Sequence, residues 1–181
     1  MLIARQKKKE NIAEYIIYMW QLEDLLRANQ LDIEKIQRLI IDPYPVDEAT
    51  KKEMREWYEN LIQMMKLEHV EEKGHLQFIK NTVEDLNDLH MELLQKPKEI
   101  QYNALFFKTL PFLVEFRGKA KAGEETNDVE LSLQALYGVL MLKLQKKEVT
   151  AETMTAVKQI SQLLAVLAQK YKTWLEEEPE E

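Results

Sequence analysis

Apolar side chains recur along this chain every three or four residues, the spacing that gathers them on one side of an α-helix. In the first long run, Ile12, Tyr15, Ile16, Met19, Leu22 and Leu26 form a broad stripe, widened by Tyr18 and Leu25 on one side and Trp20 on the other. Glu14, Gln21 and Asp24 leave only a narrow polar sector, with Ile17 at its edge. The stretch from Tyr15 to Trp20 therefore reads as a helix contacted over most of its circumference, either central in a bundle or at a subunit interface.

A later run carries two opposed stripes. Leu133, Leu136, Tyr137, Leu140 and Leu144 share one face, and Leu131, Ala135, Gly138 and Leu142 share the other. Two apolar faces require two packed layers, and the second layer is either the same chain or a second copy. The last run is singly amphipathic, with Val157, Ile160, Leu163, Leu164, Leu167, Tyr171 and Trp174 facing in.

Start and stop signals divide the chain into seven helical segments. The first spans residues 3–28. The second starts at Asp32, a candidate N-cap, and ends before Pro43 and Pro45, since each proline disfavours helix in the residue before it. The third spans 47–72 and the fourth 74–95, and they join if Gly74 is absorbed at about 1 kcal/mol. Pro97 opens the fifth, which Pro111 should kink or split, with stop signals at Gly118 and Gly123. The sixth opens at Asn127, with Glu130 at capping-box spacing, and Thr150 opens the seventh. The prediction is an all-α protein, a compact bundle of six to seven helices, forming one domain over residues 1–175 before an acidic, frayed tail at 176–181.

Composition agrees, with only four glycines and five prolines in 181 residues. Net charge is −7. Arg5, Lys7, Lys8 and Lys9 form one short basic cluster, whereas Glu176 to Glu181 holds five glutamates. An acidic body with so few clustered cations matches nucleic acid poorly, and the basic end reads as solvated. The absence of cysteine removes disulfides and thiolate chemistry and suits the cytoplasm. Charges flanking the Tyr15–Trp20 run rule it out as a membrane span, which needs about 20 apolar residues.

Candidate chemistry is sparse. His90 lies mid-stripe among Val83, Leu86 and Leu93, the setting of a hydrogen-bonded core histidine. The best metal-like spacing is Glu68, Glu72 and His75, which share a face if the helix runs through Gly74. Glu-x-x-His is half of a di-iron bundle signature, but no second copy occurs, so no metal or other cofactor is expected. Glu23 falls inside the apolar arc of the first helix, with Arg27 one turn on. The simpler reading is a surface ion pair. The functional reading is a partly buried carboxylate in a ligand site with Tyr15, Tyr18, Trp20 and Arg27, suited to a cationic or hydroxylated molecule. No Gly-rich phosphate loop, nucleophile elbow or kinase motif is present.

The stretches "RQKKKENIAEYIIYMWQLEDLLRANQLDIEKI" and "YNALFFKTLPFLVEFRGKAKAGEETNDVELSLQALYGVLMLKLQKKEVT" resemble a family of small helical Bacteroidetes proteins classed as a domain of unknown function. The resemblance extends over nearly the whole chain and implies a bacterial, cytoplasmic protein, with no activity attached. The residues favour a non-enzymatic interaction or scaffold module, a homodimer joined through an apolar face of the first or sixth helix, with Leu131, Ala135, Gly138 and Leu142 as interface candidates. The alternative is a small-molecule- or metal-dependent enzyme using Glu23, Arg27 and Tyr18, or Glu68, Glu72 and His75. A transcriptional regulator ranks third, because no short basic helix follows a tight turn. No nucleic acid and no membrane is expected as a partner.

Overall fold

A computed structural model describes residues 2–177. It contains eight helices and, among the described residues, no strand: α1 (Leu2–Glu10), α2 (Ile12–Ala28), α3 (Ile33–Ile36), α4 (Glu48–Leu67), α5 (Gln77–Gln95), α6 (Ile100–Ala120), α7 (Asp128–Leu144) and α8 (Ala151–Glu177). The all-α prediction holds, with a count of eight rather than six to seven. The extra helix comes from Asn11, which is extended (φ −154°) and accepts the N–H groups of Ala13 and Glu14 with its side chain. That N-cap satisfies donors a continuous helix would have paired internally, so the first predicted segment divides there.

The short helix α3 is capped by Asp32 as predicted and continues into a π-helical turn, Gln37–Ile41. Asn127 caps α7, accepting the Glu130 N–H at 2.7 Å. The third and fourth segments do not join. Helix α4 stops at Leu67 because His69 turns left-handed (φ 56°) and Val70 N–H reaches back to the Met65 carbonyl. This is a Schellman closure with histidine in glycine's usual place and buried Val70 as its apolar partner. Residues 68–76 are irregular, and Gly74 turns the chain again (φ 87°). The acidic tail beyond residue 177 lies outside the described residues; α8 itself continues through Glu177.

Pro111 does not split α6. Its ring sits on the exposed side, while Tyr102, Phe106, Thr109 and Leu113 on the inner side are buried. Packing on both sides of the proline holds the helix together despite the lost hydrogen bond.

Helix α8 is central, packing against α2, α5, α6 and α7, and α7 likewise touches α2, α5, α6 and α8. Ile160, Leu163, Leu164, Leu167 and Tyr171 of α8 meet Ile16, Met19 and Leu26 of α2 in one core. Helix α4 packs over α3 and the π turn. The chain itself covers the second face of α7 at Leu131 and Ala135 and leaves it open at Gly138. Leu131 and Ala135 are buried by its own helices and cannot meet a second copy. Leu142 is half-buried, and Gly138 is exposed, with no atom within 4 Å of where a methyl would stand. Of the four predicted interface residues, Leu131 and Ala135 are thus unavailable to a second copy, and only Gly138 and Leu142 reach the surface.

His90 is a core residue, as its stripe predicted. Its Nδ1 shares a 2.6 Å hydrogen bond with the Tyr102 hydroxyl, and its ring packs edge-on against Phe106. Its Nε2 is buried without a partner. Burial holds its pKa below the ordinary value, only partly countered by Asp128. The unfolded chain thus takes up a proton at His90 more readily than the folded one. The stability tied to neutral His90 is present above about pH 6.5 and is lost as pH falls below it. In urea titrations from pH 7.5 to 5, the stability gap between wild type and His90→Gln should narrow, by at most about 1.4 kcal/mol per pH unit. A constant gap contradicts this.

Candidate functional site

The first candidate site grows from one turn of α2. Glu23 lies on the buried side of the helix and is only 1% exposed. A buried carboxylate must find donors, and it finds them in the irregular segment that follows α4. The Leu76 N–H donates to Glu23 Oε1 at 2.8 Å, and His75 Nδ1–H donates to Oε2 at 2.5 Å. Leu76 is the N-cap position of α5 and offers no capping side chain. Glu23 thus supplies a negative charge where the α5 dipole is positive, and Glu68 does the same at the Gln77 N–H, at 2.6 Å.

Arg27 does not pair with Glu23. It donates to the Val70 carbonyl at 3.0 and 3.3 Å, to the Gly74 carbonyl, and to Asp24 at 2.8 Å. Glu23 and Arg27, one helical turn apart, therefore bind opposite polarities of the same loop, and the predicted surface ion pair is replaced by a clamp. Asp24 also accepts the Tyr137 hydroxyl of α7 at 2.6 Å. Burial, followed by that hydrogen bond, pushes the Tyr137 phenol well above its ordinary value.

Trp20 completes the cluster. Its ring stacks on His75 (4.6 Å between centroids, 19° between planes) and meets Tyr137 edge-on. The two other predicted members lie elsewhere. Tyr15 is buried, with Lys8 over its ring at 5.7 Å, and Tyr18 is half-buried near Tyr44 and Tyr58. A cleft of about 140 Å³ opens beside Trp20 and His75, lined also by Lys80, Val83, Glu84 and Glu130. Giving the Nδ1 proton to Glu23 fixes the imidazole tautomer and leaves Nε2 as the nitrogen toward other partners.

The Glu68, Glu72 and His75 set does not form. These residues lie on the irregular segment 68–76 rather than on a helix face, and Glu68 and His75 are committed to Gln77 and Glu23. Among the described residues, no group of three His, Asp or Glu side chains could hold a metal ion.

Two surface features escaped the sequence reading. A larger cleft, of about 470 Å³, lies between α1, the turn after α3 and α4, with Arg5, Tyr44, Glu53 and Trp57 among its walls. The other is the outer side of α6. Ile100 (73% exposed), Phe107 (64%) and Val114 (62%) stand there in line, with Ala104 and Pro111 exposed between them and Gly118 exposed just beyond. Steps of three and four residues make this a straight heptad stripe, about 27 Å long at 1.5 Å per residue. Beside it, the outer side of α8 presents Ser161, Gln162, Ala165, Val166, Gln169 and Thr173, all exposed and uncharged.

The chain belongs to the family described as "Domain of unknown function (DUF4924)", whose model matches residues 1–178. No curated protein and no solved structure matches it. No helix among the described residues is long and apolar enough to cross a membrane.

The clamp gives a direct test. Replacing Glu23 by Gln removes a buried, charge-assisted acceptor and should cost about 2–3 kcal/mol of unfolding free energy. Glu14→Gln, which touches only the exposed Lys7 pair, should cost under about 1 kcal/mol. Chemical denaturation of both variants checks the contrast, and equal effects would show that Glu23 does not hold the loop.

Proposed function

We propose that this protein is a non-enzymatic helical interaction module that pairs with a second copy of itself through the outer face of α6. The observation that carries this reading is the α6 stripe. It offers six aligned apolar or glycine positions without one charge, in a chain that is 31% charged. Large contiguous apolar patches mark interaction surfaces.

A second copy is the occupant that the pattern favours. Large residues (Ile100, Phe107, Val114) alternate with small or compact ones (Ala104, Pro111, Gly118). An antiparallel two-fold partner can therefore set large against small along the whole stripe, the self-complementarity that an isologous interface requires. Exposed Lys108 and the Glu115–Lys119 pair border the stripe on the side toward α8, a polar rim beside an apolar centre.

Light scattering after size exclusion should give twice the 21.5 kDa chain mass. Phe107→Glu should give the monomer with unchanged helicity. Leu67→Glu, at a still more exposed position off the stripe, should stay dimeric. A wild-type monomer at high concentration overturns the reading.

A further inference from the structure

We propose that residues 32–67, helices α3 and α4 with the turns between them, form a flap that swings on two stems at the C-terminal end of α2 while the rest of the bundle stays assembled. This goes beyond the α6 pairing and does not rest on it.

The first observation is where the polar ties run. Lys7 of α1 pairs with Glu14 of α2 at 3.0 Å. Asp24 of α2 accepts from Tyr137 of α7, and His90 of α5 bonds Tyr102 of α6, each at 2.6 Å. Helix α6 is tied to α7 through Arg117 and Asp128 (3.3 Å) and to α8 through Thr109 and Gln159 (3.1 Å). Each helix outside the flap thus carries a polar bond to a neighbouring helix. Among the described residues, no hydrogen bond or ion pair runs from residues 33–63 to any residue before Gln30 or after Leu67.

The flap itself is well joined. Arg55 of α4 donates to Glu34 of α3 at 2.5 Å and to Gln37 of the π-helical turn at 3.3 Å, so the three parts move together. Apolar packing is what holds the flap to the bundle. Met54, Tyr58, Leu61 and Met65 belong to the common core. Tyr18 of α2 lies beside Tyr44 and Tyr58 without a hydrogen bond to either. Separating hydrogen-bonded groups strips both of their partners, whereas an apolar contact is non-directional and parts without that cost.

The second observation is the position of the stems. Residues 29–32 follow α2 directly, with Gln30 and Leu31 both left-handed (φ 60° and 55°). The other stem, 68–76, opens with left-handed His69 and is gripped by Glu23 and Arg27, in the last turns of the same helix. Both stems therefore sit together. The opposite end of the flap, the turn at 42–47 and the start of α4, has no covalent anchor to the bundle. There the cleft of about 470 Å³ lies between Tyr44, Val46 and Trp57 on the flap and Ile3 and Arg5 of α1. Stems at one end, space at the other and a seam without polar bonds make a hinged element. Its opening uncovers α2 at Tyr18, and its closing covers it.

Because the chain has no cysteine, nitroxide labels go only where thiols are introduced. Lys52→Cys with Asp88→Cys reads the free end of the flap against α5, and Lys66→Cys with Asp88→Cys reads the stem end. Asp88→Cys with Lys158→Cys reads α5 against α8 within the bundle. All four positions are exposed. Pulsed dipolar spectroscopy is run on the full chain, diluted with unlabelled protein so that each molecule is read alone. The free-end distance distribution should be about two-fold or more wider than the stem distribution, and the bundle pair should be narrow. In Arg27→Met, which frees the second stem, the stem pair should broaden while the bundle pair stays narrow. A free-end pair as narrow as the stem pair overturns the proposal, because it marks a rigidly seated layer. A stem or bundle pair as broad as the free end also overturns it, as does a stem pair unmoved by Arg27→Met.

Discussion

A single buried negative charge, the carboxylate of Glu23, sets the terms for the middle of this molecule. Removing a carboxylate from water is costly unless donors replace the lost hydration, and the donors available are the start of α5 and the ring of His75. Satisfying Glu23 therefore fixes where the irregular segment 68–76 must lie. The same requirement places α5 against α2 and stacks His75 on Trp20. Arg27 acts on the same segment from one turn further along, taking carbonyls where Glu23 takes N–H groups. A loop held at both polarities by one rigid helix is well ordered without a disulfide, which a chain lacking cysteine could not have supplied.

The same clamp explains why the cleft beside His75 and the loop below it are one construction. The imidazole that faces the cleft is oriented by the residue that caps α5, so the first turn of that helix and the geometry of the cleft are determined together. Lys80 and Glu84, which also line the cleft, project from the next turns of α5. Any change that releases the loop would therefore disturb the cleft before it disturbed the core.

Much of this was legible in the sequence, and the remainder fails to be legible for identifiable reasons. Helical periodicity marked the stripe on α2, the inward face of α8 and the core setting of His90, because each depends only on residues one or two turns apart. Caps at Asp32 and Asn127 were legible for the same reason. Asn11 was not, because its short side chain could serve equally as an exposed helical residue, and only the competition between cap and continuation decides. His69 hid the end of α4, since a left-handed histidine carries no glycine signal. The pairing of Glu23 with His75 spans 52 residues, and no periodicity encodes which helix lies beside which. Helices α6 and α7 show the sharpest limit. Both carry apolar residues on two sides, and the amino acids cannot say which of the two the chain covers. In α7 its own helices cover most of both sides, whereas in α6 they cover one.

The contact between α2 and α8 also has a consequence for biosynthesis. About 120 residues separate the end of one from the start of the other. At roughly 5–20 residues per second, the broad oily stripe of α2 waits on the order of 6–25 s after its own synthesis before its main covering helix exists. During that interval only α1, α5 and α7 are available to cover Ile16, Met19 and Leu26. The topology thus keeps this core incomplete until α8 has emerged.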